Sequence, residues 1–360
     1  MSSPPQSAYA AFCCRYGNYW QTLVTARGLT YRYLSVPAGH KGVVLLFLHG
    51  FTSSVYDWHY QLDYFHNKGY GLLAPDMLGY GGSDKPRDTK LYQHTPLARD
   101  IMDIVAAEVP PDVPIIPVGH NWGVAVMNRL VCHHGKRFKG FVFLNVAYMG
   151  PNASAPYDLD ELIPLSKQMS GKELYAYWEL FTKPGADKIC EDNIESFLDM
   201  MYAEDEPSVS NRIKLTRHKS EEFVENGMRL PRAKFIRDED YEVMRDHLVG
   251  PGRGMWGPLA WYKMWTDGHH RSEDQVLRSH SELADEGLTT IMITQPVIFF
   301  AAARDAICVP SWMRPLMEKV SRHLTTVVLD TSHWIFLEQP DMLNAELDKW
   351  LEGKVLRTRS

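Results

Sequence analysis

No block of lysine and arginine stands in the chain. The 38 basic and 44 acidic residues are interspersed and leave a formal charge of -6, so nucleic acid and anionic membrane surfaces are poor partners. No apolar run approaches the ~20 residues that span a bilayer. The opening Met1-Ser2-Ser3-Pro4-Pro5-Gln6 has no basic region followed by an apolar core, which reads as the absence of a secretion signal and points to the cytoplasm. Cysteine is scarce. Cys13, Cys14, Cys132, Cys190 and Cys308 are scattered and odd in number, which excludes a disulfide framework and fits reduced thiols. Neither a metal-ligand spacing nor a His-Glu-x-x-His is present, so no metal is expected. The glycine-rich loop 78–86 does not close on Gly-Lys-Ser/Thr and opens no helix; it is not a phosphate loop, and no cofactor is implied. Internal repeats and low-complexity stretches are also missing, and the sequence carries no sign of oligomeric state.

What is there is a rhythm. The 360 residues suit an α/β domain carrying an insertion. Two β-rich runs around Gly28 predict a hairpin. The runs 42–48, 70–76, 113–118 and 141–147 are apolar on both faces, as central parallel strands are, and helical patterns lie between them. Thr95-Pro96 reads as the cap of one such helix. From 149 to 293 the alternation stops, and the segment is helical in pattern with many Met, Trp and Tyr. Strands return at 296–301 and 325–329. The expected architecture is α/β with a central, mostly parallel sheet and an inserted helical cap. The division reads as core 1–148, cap and return linker 149–293, core 294–360.

The chemistry centres on Val118-Gly119-His120-Asn121-Trp122-Gly123, between an apolar strand and a helix. Small residues two positions either side of a tip make a nucleophile elbow, whose turn is too tight for side chains there. The tip, Asn121, stands over a helix N-terminus that favours negative charge. Asp305 follows the strand 296–301, and His333 follows the strand 325–329. The ends of strands are where sheet ligands collect. Tip, acid, histidine is also the chain order of α/β-hydrolases. The acid would orient the ring, and the histidine would activate water.

Beyond these residues the chain resembles the epoxide hydrolase branch of the α/β-hydrolase family. The resemblance runs from about Thr30 onward. It is carried by His49-Gly50-Phe51, by the sheet-top loop Leu73-Ala74-Pro75-Asp76-Met77-Leu78-Gly79-Tyr80-Gly81-Gly82-Ser83-Asp84-Lys85-Pro86, and by His333-Trp334 with Glu338-Gln339-Pro340. In the cap, Tyr177-Trp178-Glu179-Leu180-Phe181 and Gly257-Pro258-Leu259-Ala260-Trp261-Tyr262 resemble the two segments bearing ring-opening tyrosines. The resemblance implies an α/β-hydrolase fold and a two-step reaction. A tip aspartate attacks an epoxide carbon to form an ester, and a histidine-activated water then cleaves it. Tyr177 and Tyr262 would hold the epoxide oxygen, and the N–H groups of Phe51 and Trp122 the oxyanion. His49, Trp178, Trp261 and Trp334 are the expected substrate contacts. Met200, Met201, Trp256 and Trp265 are further candidates for pocket walls, and their bulk suggests a lipophilic small-molecule substrate.

Three departures stand out. Thr52 replaces the family's proline after His-Gly-x, and 264–294 is a longer return linker than usual. More consequential is Asn121, where the family has aspartate, because a carboxamide is a poor nucleophile and carries no charge. This residue marks an inactivated variant, a site that deamidates its own asparagine, or a natural non-hydrolytic member such as an epoxide-opening cyclase or a small-molecule receptor. A haloalkane dehalogenase-like enzyme shares the elbow and its following Trp. Phe51, where many of those enzymes have Asn, and the paired cap tyrosines speak against it.

Overall fold

In the computed structural model, which describes residues 7–204, 209–280 and 292–356, the two N-terminal β-rich runs pair antiparallel as β1 (Trp20–Val24) and β2 (Thr30–Val36). The next strands, β3 (Val44–Leu48), β4 (Gly71–Pro75), β5 (Ile115–His120), β6 (Phe141–Leu144) and β7 (Val297–Ala302), are buried along their whole length. Unbroken apolar runs can be accommodated only where helices cover both faces of a sheet. β8 (Leu324–Leu329) closes one edge, and there Thr325, Thr326 and Val328 reach solvent. The order is β1-β2-β4-β3-β5-β6-β7-β8, with β2 antiparallel to β4 and the later pairs parallel. The elbow strand β5 therefore lies inside the sheet, flanked by β3 and β6. The carboxyl ends of β3, β5, β7 and β8 all open on one edge.

Between β6 and β7 the described residues form helices from Leu159–Ser170 to His269–His280, with isolated bridges from Ala203 to Arg232 and from Ile293 to Ser321 as their β pairing. These helices sit on the sheet's carboxyl edge. At one point they meet the core backbone on backbone. A Cβ on Gly257 would stand 2.4 Å from the Gly79 carbonyl oxygen, and one on Gly79 would stand 2.7 Å from that of Gly257. Gly79 also has φ 94°, which only glycine adopts cheaply.

One local expectation needs correction, and two other features tie the cap to the core. Thr95 does not cap its helix, which begins at His94. The free N–H groups of His94 and Thr95 are instead taken by the Glu273 carboxylate, at 3.1 and 2.7 Å. The return linker is in large part helical. Trp256–Thr266 runs into it and His269–His280 follows; 281–291 lie outside the described residues. Asp274 pairs there with Arg129 of the elbow helix and accepts the Asn152 N–H, so the linker ties cap to core. Lastly, a helix, Ala8–Tyr16, precedes the hairpin. Ser7 caps it and it buries Phe12 and Tyr16. Its Tyr9 packs edge-on against His247 of the cap, with ring centres 4.6 Å apart.

Candidate active site

β5 ends at His120 and the elbow helix Trp122–His134 begins at once, with Asn121 between them at φ 52° and ψ −125°. A side chain in that backbone region is strained and persists only where its surroundings impose it. The surroundings here are close. A Cβ on Gly123 would lie 2.0 Å from the Leu48 carbonyl oxygen, and one on Gly50 would lie 2.5 Å from the Asn121 Cβ. Gly119 has more room, its nearest contact being the flexible end of Met127 at 3.0 Å. The demand for small residues thus falls on Gly123 and Gly50 more than on Gly119.

The Asn121 carboxamide is held from both ends. Its Oδ1 accepts the backbone N–H groups of Trp122 (2.8 Å) and Phe51 (3.1 Å). Its Nδ2 donates to His333 Nε2 at 3.1 Å. His333 Nδ1–H donates to Asp305 Oδ2 at 2.7 Å, which leaves Nε2 as the acceptor facing Asn121. Burial alone would raise the pKa of Asp305. The His333 charge and hydrogen bond, the Asn145 amide and the Cys308 N–H together bring it below the ordinary carboxylate value. Asp305 Oδ1 accepts the N–H groups of Ile307 and Cys308, each at 2.9 Å. The residue is therefore both a local turn cap and the partner of the imidazole.

Asn145, not singled out from the sequence, fastens this pair. At φ 63° just past β6, its Nδ2 donates to Asp305 Oδ2 (2.8 Å) and to the His333 carbonyl (3.0 Å). The sequence signal was a lone polar residue inside the apolar run 141–147. The His333 loop is held from its other side. Glu338 accepts from Ser332 N and Oγ, both at 2.7 Å, and pairs with Arg304.

The cap brings Tyr177 and Tyr262 over this centre. Both are buried, with rings 6.2 Å apart, and both line a cavity of about 40 Å³ together with Phe51, Asn121, Met201 and His333. Burial raises both phenol pKa values above the ordinary one, so the hydroxyls stay protonated and able to donate at neutral pH. Trp334 borders the same cavity, stacks on Tyr202 at 4.4 Å and donates to the Met201 carbonyl at 3.1 Å. Tyr202 in turn bonds Thr52 Oγ1 at 2.7 Å. The Phe51–Thr52 peptide bond is cis.

Several expected contacts lie elsewhere. His49 is buried behind the oxyanion loop. Its Nε2 accepts the Met77 N–H at 2.9 Å, and its Nδ1 lies 3.0 Å from the Gly50 carbonyl. Both ring nitrogens are committed to backbone, so His49 braces loops and does not border the cavity. Burial lowers its pKa to about 4, leaving the ring neutral. Trp178 and Trp261 pack around Trp122 at ring distances of 5.7 and 6.2 Å, outside the cavity lining. The Trp261 indole N–H is spent on the Leu78 carbonyl at 2.9 Å. Trp256 and Trp265 bond Pro86 and Pro156 carbonyls, and Met200 is core. Of the further wall candidates only Met201 reaches the cavity. Lys214 and Ile307 also line it; neither belongs to a motif.

Comparison with known proteins identifies the family. The alpha/beta hydrolase family profile matches residues 45–346. Epoxide hydrolase A of Mycobacterium tuberculosis is 27% identical over 348 residues, covering 94% of this chain and 98% of that one. Bifunctional epoxide hydrolase 2 of Sus scrofa is 26% identical over 321 residues, covering 86% of this chain and 52% of that one, so the chain spans about half the length of the mammalian relative. Among solved structures, epoxide hydrolase A of Mycobacterium thermoresistibile superposes with a TM-score of 0.72 at 23% identity, covering 93% of this chain and 98% of that one. An epoxide hydrolase from an endophytic Streptomyces gives 0.73 at 22%, covering 93% and 95%. At such identities the structural likeness is one of fold.

Proposed function

The chain belongs to the alpha/beta hydrolase family and is epoxide hydrolase-like in sequence, and from that premise we propose that its site opens the ring of small-molecule epoxides. One arrangement carries the proposal. The His333–Asp305 pair and the two cap tyrosines surround residue 121, whose side-chain oxygen sits in a cradle of two backbone N–H groups. Tyr177 and Tyr262 donate to the epoxide oxygen as it takes up charge. Residue 121 is the nucleophile position. His333, oriented by Asp305, serves as base toward water. The cap, 149–293, closes the site over the core, 1–148 and 294–360. The five cysteines are free thiols, which fits the expected cytoplasmic setting. No described helix is long and apolar enough to cross a membrane.

Asn121 sets the limit on this chemistry. A carboxylate oxygen displaces a strained ring oxygen and becomes a neutral ester, whereas an amide oxygen would become a charged imidate. The chain as written therefore forms no ester, and Asn121→Asp does. The test is single turnover with an aryl epoxide in both proteins, reading the mass of the elbow peptide and the yield of diol. Adduct and diol from the aspartate form alone are expected. Equal turnover by the asparagine form, with its peptide mass unchanged, would show that water attacks directly through His333. A rise of that mass by the difference between an amide and an acid would show that the site hydrolyses its own carboxamide.

A second reading, a non-hydrolytic receptor or cyclase, draws on one observation. The Asn121 Nδ2 occupies the imidazole nitrogen that would otherwise activate water. Tight binding of epoxide-free ligands, with no ring opening by either form, is the outcome that favours it.

A further inference from the structure

The side chain of Cys308 has no part in the chemistry described so far. Its backbone N–H donates to Asp305 Oδ1 at 2.9 Å, which ties residue 308 to that carboxylate. Its thiol is buried, and among the described residues the sulfur has no hydrogen-bond partner. It stands beside the His333–Asp305 pair. One ligand atom each from Asp305, Cys308 and His333 lie within 4.8 Å of one another. On the imidazole the nitrogen bonded to the carboxylate is Nδ1, at 2.7 Å from Asp305 Oδ2. Asp305 and Cys308 follow β7 and His333 follows β8, so the parallel sheet assembles the set and the sequence shows no contiguous ligand motif for it.

One sulfur, one nitrogen and one oxygen make a donor set for zinc and other thiophilic divalent ions, whereas magnesium and calcium take oxygen alone. With Zn–S near 2.3 Å and Zn–N or Zn–O near 2.1 Å, a tetrahedral ion spaces its ligand atoms roughly 3.2–3.6 Å apart. The three atoms here reach that spacing by shifts on the order of an ångström. A way in exists. Asp305 lines an open cleft of about 810 Å³, and Asp305 and His333 together line a void of about 40 Å³ further inside. A void of that size holds a water, which supplies the fourth ligand.

We propose that Asp305, Cys308 and His333 form a site for a thiophilic divalent cation, zinc above all, and that its occupation switches off water attack on the ester. On coordination the thiol gives its proton to solvent. The ring proton passes from Nδ1 to Nε2, because Nδ1 now holds the ion. Nε2 then faces residue 121 as a donor and can no longer take a proton from water. Attack of a carboxylate at position 121 on the epoxide carbon does not use Nε2 and continues. The coordination is independent of what the site turns over; the block on the water step rests on the epoxide-opening reading above.

Coordination is tested on the chain as written, with Co²⁺ as the optical probe of a zinc site. Co²⁺ is expected to give a sulfur-to-cobalt charge-transfer band in the near ultraviolet, and Zn²⁺ to displace it. Cys308→Ser and Cys308→Ala should each remove the band and weaken Zn²⁺ binding by about 100-fold or more, beyond the loss that a supporting contact brings. Cys14→Ser, which removes an exposed thiol, should leave both unchanged, and Mg²⁺ should compete with neither ion. In the Asn121→Asp protein, saturating Zn²⁺ should leave the burst of ester intact and slow its hydrolysis by about 100-fold or more, the scale of a general base. A chelator should restore the rate, and Cys308→Ser, with turnover near that of its parent, should not respond to the same Zn²⁺. Thermal melting shows that the variants are folded, and the band and the chelator need no variant. A cobalt complex without the sulfur band, a band that survives Cys308→Ser, inhibition undiminished by that change, or Zn²⁺ that suppresses ester formation as strongly as ester hydrolysis would each overturn the proposal. A protein that opens no epoxide yet binds Co²⁺ through Cys308 would overturn the epoxide reading and uphold the metal site.

Discussion

Asn121 has two unlike neighbourhoods. On one flank Trp122, Trp178, Trp261, Tyr262 and His94 lie ring against ring at 5.0–6.2 Å. Apart from Trp122 these are nearly all buried. On the other flank Met201, Lys214, Ile307 and Trp334 border voids that lead to a polar cleft. The first flank is built for packing, because large rings contribute apolar burial and edge-to-face attraction. The second keeps Met201, Lys214 and Ile307 half-buried beside open space, with only Trp334 buried, so less of its free energy goes into holding the fold. Residues close to a reactive centre are thus of two kinds, and the half-buried ones can be changed with less loosening of the cap.

The largest expected effect erases the comparison by striking the centre shared by both flanks. Asp305→Asn, made in the Asn121→Asp protein, removes the acceptor that fixes the His333 tautomer. Water attack on the ester should slow by about 10³–10⁴-fold, as such changes do in other histidine–acid pairs, and equally for every substrate. Ester accumulation on mixing reads this directly; unchanged decay of the ester would mean that Asp305 serves only as a turn cap.

Next comes the aromatic flank. Trp178→Ala removes a buried ring and should lower stability by about 3–5 kcal/mol, measured by urea unfolding. Its effect on the choice among epoxides should be secondary to that loss. Smallest is the matching change on the open flank. Ile307→Ala alters a half-buried residue and should cost about 1 kcal/mol or less, while shifting the relative kcat/KM of terminal and mid-chain epoxides. If Ile307→Ala proved as destabilising as Trp178→Ala, the two flanks would not differ in the way described.

The legibility of the molecule in its sequence follows the same division. Strands β3 to β7 could be read because a run buried on both faces admits no polar residue. The elbow, Asp305 and His333 could be read because each follows a strand, and the position of a strand end is fixed by chain geometry. The helix Ala8–Tyr16 could not, since its only signal is the spacing of Phe12 and Tyr16. His49 was misplaced because a strand end fixes where a residue sits and not which way its ring turns. Asn145, Lys214 and Ile307 were out of reach for another reason. They come to residue 121 from β6, from a short cap helix and from the loop after β7, and only the folded chain brings these together.

The backbone seam between Gly79 and Gly257 bears on how portable the cap is. Grafting a foreign cap onto this core, or this cap onto another, is a natural route to new substrates. The graft would meet its first obstacle at this seam, well before the aromatic cluster. An alanine at position 257 would drive its Cβ into the Gly79 carbonyl, and the helix Trp256–Thr266 that carries Tyr262 would have to ride higher. Tyr262 would then be lifted away from residue 121. A chimera that keeps glycine at both positions preserves the height of that tyrosine over the sheet, and the choice of cap becomes free in every dimension except that one.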